Sequence, residues 1–513
     1  MSLRRHAAPL ALSLPLLLAA GAARASGALE TLGAPTSPNG LNARALGRGP
    51  ETAFFNPALL PDAAQTTQAG LFVLVTRGDI LLNARPAGVD VPESVYNAQI
   101  GSADGSTSRL VLRPLPTSKL PAARADTEAR DTIAYATLGV VRPLYEDYLV
   151  LGFYALLPIR SFQEQKAFFS DEREQYFSNR LGYELLGDRL SLTTFAVAMG
   201  SRIASFLSIG AGVDVTIGTV ARTAVHVPDA GDQRYVLINP DIQVESTFSP
   251  YFAIATRPTP RLRLTTTLHL PASSTTDGEN QIRFWNYPYP EGEDSIRQGY
   301  KLSLGYEPLR VGVGAAVFGP PIAPPPVVVE PPAGAGARPV PPAALPPAWE
   351  VGLRAVVTRW SQYVDRHAER PVDPWTNTVS VGLGGSLILR NRRVAADLAF
   401  TPSPVPDQTG RSNYVDNSRI GANLSLETPV SLFGADFGVS AFLHGQLLLP
   451  REVEKSSSAR DPVADELPDN AVDIVTGEPT EGAAGLQTNN PGYPGWRSEG
   501  WLVGAGFALR LPQ

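Results

Sequence analysis

Apolar residues recur at every second position along most of this chain. From Glu499 onward, Trp501, Val503, Ala505, Phe507, Leu509 and Leu511 occupy one phase, with Gly504, Gly506, Ala508 and Arg510 on the other. The same period runs through Ser205 to Ile217 and Leu262 to Leu270, and further runs begin near Lys301, Leu309, Val351, Val379, Val394, Ile420 and Phe437. Strict alternation predicts strands with one apolar and one small or polar face. The runs are about nine to fifteen residues long, against about five or six for strands of soluble domains and about 9–11 for a tilted membrane strand. The chain therefore reads as all-β, a transmembrane antiparallel β-barrel whose greasy face meets lipid.

The connections support this. Short ones at Leu144–Asp147, Ala204–Phe206, Pro258–Pro260 and Asn391–Arg393 alternate with long ones near 86–130, 163–188, 222–240, 271–297, 403–417 and 451–497. An up-and-down barrel with tight periplasmic turns and long outer loops has this asymmetry. About fifteen candidate strands lie between Thr66 and Leu511, yet a barrel with both termini on one side needs an even number. The alternation fails between Tyr300 and Trp360, so the miscount is placed there. Leu309–Phe318 and Trp349–Arg359 both read as strands, separated by a Pro-rich insert at 319–347. Such composition favours polyproline conformation, a spacer or a docking segment for another envelope protein. Asp461–Asp473 gives the 451–497 loop an acid-rich stretch, a solvated loop or a divalent-ion contact.

Before the first strand the pattern changes. Arg4 and Arg5, the apolar run Ala7–Ala20 and Ala23-Arg24-Ala25 predict a signal peptide over 1–25, cleaved before Ser26. Residues 26–64 then form an N-terminal hatch, ending in ETAFFNPALLPDA, and 65–513 form the barrel. No later run of about 18–20 apolar residues offers a membrane-spanning helix. Cysteine is absent and the net charge is −6 without a basic stripe, which leaves no disulfide framework and no footprint for nucleic acid. Charged residues are 18% of the chain, fewer than the roughly one quarter usual in soluble proteins.

No catalytic signature emerges. His226, His269, His367 and His444 are far apart and form no HxxxH or HExxH pair, so no metal site is expected. There is no GxSxG elbow or phosphate loop, and Gly384-Gly385-Ser386 lies inside an alternating run. Neither an enzyme nor a cofactor is expected.

Several collinear stretches resemble the FadL-type outer-membrane transporters of long-chain fatty acids and related hydrophobic compounds. They are Phe55-Asn56-Pro57-Ala58, VLGFYALLPIRSF (150–162), LSLTTFAVAMGSRIASFLSIGAGVDV (190–215), PYFAIATRPTPRLRLTTTLHLP (250–271), RWSQYVD (359–365) and TPSPVPDQTGRSNYVDNSRI (401–420). The resemblance implies fourteen strands, a hatch blocking the lumen, an outer groove, an inner apolar pocket and a lateral exit at a kinked third strand. That strand is Tyr148–Phe162, where Gly152 and Pro158 offer a distortion, or Pro158 simply ends it. The Pro-rich insert and the terminal Leu-Pro-Gln depart from the family's pattern.

The lumen is expected to be partly dry. In Ile133–Val141, Leu149–Leu157 and Leu192–Met199 both phases are apolar, and inward apolar residues need a cover. Phe54, Phe55, Asn56, Pro57, Ala58, Leu59 and Leu60 of the hatch are predicted to supply it. Leu151, Phe153, Leu157 and Phe195 are the expected pocket lining, and Arg263, Arg310 or Arg354 the expected partner of a substrate carboxylate. The expected function is passive uptake of a fatty acid or other hydrophobic small molecule by a monomer in outer-membrane lipid, placed there by the barrel assembly machinery. A porin-like or structural barrel, a lipid-modifying enzyme and a soluble exported all-β protein are the alternatives.

Overall fold

In the computed structural model the described residues are 27–83, 99–101, 107–109, 126–145, 148–159, 181–227, 237–284, 292, 294–321, 347–365, 368–389, 391–409, 412–432, 435–455 and 495–512. The expected signal segment, the body of the Pro-rich insert at 322–346, Asp461–Asp473 and His367 lie outside them.

Fourteen strands close a ring. They are β1 (Thr66–Leu82), then, after a separate small ribbon of β2 (Gln99–Gly101) and β3 (Thr107–Arg109), β4 (Thr127–Tyr145), β5 (Leu149–Pro158), β6 (Thr193–Ala204), β7 (Leu207–Val227), β8 (Leu237–Thr259) and β9 (Leu262–His269). After β10 (Ala272–Phe284) and β11 (Ile296–Glu307), the ring continues with β12 (Leu309–Phe318), β13 (Trp349–Arg359), β14 (Thr378–Leu389), β15 (Arg392–Thr401), β16 (Arg419–Leu432), β17 (Ala435–Glu454) and β18 (Gly495–Pro512). Every ring neighbour pairs antiparallel, and β18 returns to β1 from Thr66↔Pro512 to Leu82↔Trp496. Closure leaves no ladder edge facing lipid, where an unpaired backbone group would cost several kcal/mol.

The fifteenth strand of the sequence count is β11, the run near Lys301. It pairs with β10, and β10 in turn lies parallel to the outer end of β7 through Asn280–Phe284 and Thr223–Val227. Neither belongs to the wall. The 271–297 stretch, expected as a connection, carries β10. Its sequence ASSTTDGENQIRF lacks an apolar phase because it stands beyond the bilayer. Leu309–Phe318 and Trp349–Arg359 are both wall strands, paired from Leu309↔Arg359 to Phe318↔Glu350. The insert between them thus leaves the barrel at the end of the tight turns, through a neck closed by Gly319 N to Trp349 O at 2.8 Å and Ala348 N to Pro320 O at 2.9 Å.

Alternation follows the ladder. Leu71, Val73, Val75, Leu138, Val197 and Met199 stand on the outer surface with their Cβ positions toward lipid, and comparable residues continue around the ring. The strands β7 and β8, at 21 and 23 residues, are about twice what the bilayer needs, so their outer halves project as a ribbon. β10 starts beside β9 yet pairs with the edge of β7 away from β8, so the β10–β11 hairpin crosses this ribbon.

The N-terminal segment lies inside the ring. It comprises α1 (Gly27–Leu32), a 3-10 turn at Gly40–Asn42, α2 (Ala43–Leu46), α3 (Thr52–Phe55) and a 3-10 turn at Pro57–Asp62. Helices this short cannot persist alone in water. They hold because the wall surrounds them. Asn39 takes the left-handed conformation, φ 54°, which Asn tolerates, and its amide binds the carbonyl of Gly385 on β14. Asn56 donates to Arg44 O at 2.7 Å, and Pro57 opens the last turn, where a missing N–H costs nothing.

Close approach sets the wall composition. A Cβ on Gly200 would lie 2.3 Å from the carbonyl oxygen of Pro57, and one on Gly210 2.3 Å from the carbonyl carbon of Pro57. These paired glycines on β6 and β7 form the shelf under the plug. Gly210→Val should cost about 1–3 kcal/mol of plug seating while the ring remains closed. Trypsin should then cut at Arg48 in a barrel that still migrates as the folded form in unheated detergent gels. Continued protection of Arg48 would refute the shelf.

Candidate functional site: the closed lumen

Plug and wall meet through two chemistries. On the side of β18, β1, β4 and β5 the contact is apolar: Phe54, Phe55 and Leu60 join one buried cluster with Phe72, Tyr135, Val150, Tyr154 and Leu156. Leu59 and Ala58 pack against Ala253 and Ala255 of β8. Phe54 also touches the His269 ring at 5.2 Å, and His269 stacks on Tyr251 at 4.7 Å. Tyr251 in turn donates to the carbonyl of Ala53 at 2.5 Å.

Across the lumen the contact is polar. Asp397 of β15, 2% exposed, accepts from Asn39 Nδ2 at 2.9 Å, Asn42 Nδ2 at 3.1 Å and the backbone N–H of Leu41 at 3.2 Å. Gly384 leaves the space, since a Cβ there would lie 2.1 Å from Asp397 Oδ1. At the tight-turn end, Arg202 and Arg257 both hold Asp62 at 2.7 Å, and Arg48 reaches Glu350 at 2.6 Å.

The three expected carboxylate-binding arginines do face inward, but each serves the plug or its surroundings. Arg263 donates to Ala45 O at 2.5 Å and lies 5.0 Å from the Phe318 ring centroid. Arg354 donates to Leu41 O at 2.5 Å. Arg310 is ion-paired with Glu307 and stands 3.9 Å from Glu30 of α1. Glu30 also pairs with Arg44 at 2.5 Å. Burial pushes its carboxyl up, but Arg44 and Arg310 outweigh burial and hold it well below the ordinary value of 4.5. With the folded value lowered, this contribution to seating α1 is present above pH 4.5 and is lost only as pH falls well below it.

The expected pocket lining requires correction. Leu151 and Phe153 pair directly with Met199 and Val197, which are 50% and 40% exposed on the outer surface, and paired residues share a face. Leu157 follows in the same phase, and Phe195 stacks on Phe153 at 6.4 Å. All four face outward. Val150, Tyr154 and Leu156 are the inward members of β5. Hydropathy could not choose, because both phases of this strand are apolar. Gly152 marks no kink: β5 pairs with β6 without interruption from Leu149↔Ser201 to Leu156↔Thr194. Its missing Cβ admits Leu60, whose Cδ2 lies 2.5 Å from where that atom would be. Pro158 is the last residue of the strand.

The outer end has its own closure. Tyr306 at the base of the β10–β11 hairpin, Leu185, Tyr363, Trp375, Val405 and Tyr414 form a buried cluster drawn from four separated connections. The Tyr363 and Trp375 rings stack at 3.6 Å, with the Tyr414 ring edge-on to both. Arg189 ties this lid together, donating to Glu184 O, Tyr306 O and Tyr363 OH at 3.0–3.3 Å. Sequence reading missed these residues, although RWSQYVD and the 401–420 stretch carry three of them, Tyr363, Val405 and Tyr414. It also missed Asp397, whose signal is a lone carboxylate on the small inward phase between Ala395 and Ala399. Among the described residues no group of three or more His, Cys, Asp or Glu is placed to hold a metal.

No family model matches the chain, and no curated protein matches it. Solved structures do share its fold. A FadL homologue from Pseudomonas aeruginosa is similar at TM-score 0.52 and 13% identity, over 96% of this chain and 100% of that one. The toluene transporter TodX of P. putida gives TM-score 0.45 and 10% identity over 94% of this chain and 99% of that one.

Asp397→Ala should free three donors inside the lumen and loosen the plug by on the order of 3 kcal/mol. In planar bilayers the variant should show bursts of ion current through an otherwise closed barrel; a silent trace would remove Asp397 from the anchoring set.

Proposed function

We propose that this barrel is an outer-membrane channel for passive uptake of hydrophobic small molecules, gated by rearrangement of its N-terminal plug. The observation that supports this reading best is the apolar stripe on one side of the lumen. It runs from Trp496 and Leu181 near the lid through Phe72, Tyr135 and Tyr154 to Phe54 and Leu60 of the plug. A water-filled pore would not keep such residues inward, since exposing them costs about 25 cal/mol per Å².

Cargo reaching the lid would exchange contacts with Tyr363, Trp375 and Tyr414, then follow the stripe as Phe54 and Phe55 withdraw. Net movement needs only a concentration gradient. The P. aeruginosa protein that shares the fold is a FadL homologue, which agrees with this reading. A fatty acid is one member of the class. The proposal does not require the arginines of the wall to bind it.

The test is electrical and chemical together. Reconstituted wild type should pass almost no ion current, whereas deletion of residues 26–55 should leave a folded barrel with a large steady conductance. Mild extraction followed by mass spectrometry should find an apolar compound retained by wild type and lost from the deletion variant. A large steady current through wild type would sink the gated-channel reading.

A further inference from the structure

Within this proposed channel, we infer that the inward face of β6 to β9 above the plug seats a hydrogen-bond-donating head group, so that the cargo is an amphiphile ending in a hydroxyl or amine. The inference rests on the uptake reading and narrows it.

Register builds the seat. Thr194 of β6 pairs with Thr216 of β7, and Thr216 with Thr247 of β8. One step toward the plug, Asp214 pairs with Ser249; one step further, Tyr251 pairs with His269. These side chains share the inward face, opposite Phe248 and Phe252, which are 50% and 40% exposed outward. The result is a polar strip rising from Phe54 toward the outer mouth, bordering the apolar stripe where Thr194 pairs with Leu156.

The strip is unsatisfied. Thr194, Thr216 and His269 are 0%, 4% and 2% exposed, and neither hydroxyl nor either ring nitrogen of the histidine has a hydrogen-bond partner. A buried polar group left unpaired costs about 1–3 kcal/mol, and three within one strip point to a partner that comes and goes. An apolar cargo could not supply it.

Charge selects the head. Asp214 lies two residues from Thr216 on the same face, and the nearby Arg310 is ion-paired with Glu307 and stands 3.9 Å from Glu30. A carboxylate head seated at Thr216 would lie beside the Asp214 carboxylate, and like charges at that range repel. A hydroxyl or an ammonium would donate to Thr216, Thr194 or the imidazole, while its chain lay along the apolar stripe.

The full chain, held in amphipol, is incubated with an equimolar mixture of decanol, decylamine, decanoate and decane. Compounds retained after gel filtration are quantified by mass spectrometry. Decanol and decylamine should be retained at least tenfold over decanoate and decane. The double variant Thr194→Val, Thr216→Val preserves side-chain shape and removes two unpaired hydroxyls. It should unfold at the same temperature or higher, yet lose the preference by about tenfold. Equal retention of all four compounds, or a preference unchanged in the double variant, would overturn the head-group seat and leave hydrophobic uptake standing. Retention of none would overturn both readings.

Discussion

The backbone hydrogen bond in a medium without water governs this molecule. Each strand facing lipid must pair on both edges, and the return of β18 to β1 meets that demand for all fourteen. Closure then dictates the remainder. It fixes which phase of every strand faces lipid, and it creates an interior that the chain itself must fill. It also relegates the β10–β11 hairpin, whose β10 lacks an apolar phase, to the water beyond the bilayer.

Filling the interior explains the residues that seem most chemical. Arg263, Arg354 and Asp397 would suggest a binding site in a soluble protein, but here they complete hydrogen bonds for a plug whose short helices leave backbone groups unpaired. Glycines on the same face let plug backbone lie directly on wall backbone. The plug is therefore bound by many modest interactions spread around the ring, an arrangement that can release one side while the other holds. Its apolar side, at Phe54, Phe55 and Leu60, meets the stripe proposed as the path. Its polar contacts are split between Asn39 and Asn42 on Asp397 of β15 and Asp62 on Arg202 of β6 and Arg257 of β8.

The two closures are also joined. Arg44, Glu30, Arg310 and Glu307 lead from α2 through α1 and β12 to β11, and Arg189 continues from the carbonyl of Tyr306 to Tyr363 in the lid. Buried charges of this kind are stable only as a set, because removing one member strands the others. Displacing the aromatic lid therefore bears on the same network that seats the first helix of the plug.

Period-two hydropathy determined the fold class and the asymmetry between tight turns and long loops, because lipid imposes those on sequence one residue at a time; it did not reach the strand halves beyond the bilayer, as in β7 and β8 at 21 and 23 residues. The break at 51–63 likewise marked the segment that is not wall. Where both phases are apolar, as at Leu149–Leu157, or where a run alternates outside the membrane, as near Lys301, the same signal is silent about direction and place. Only the closed ring decided that Tyr154 faces the plug while Phe153 faces lipid. It also decided that Asp397 meets Asn39 and Asn42 across more than 350 residues of chain. Phase in such strands, and every plug contact, depends on which strands become neighbours, and that is a property of the whole ladder rather than of any segment in it.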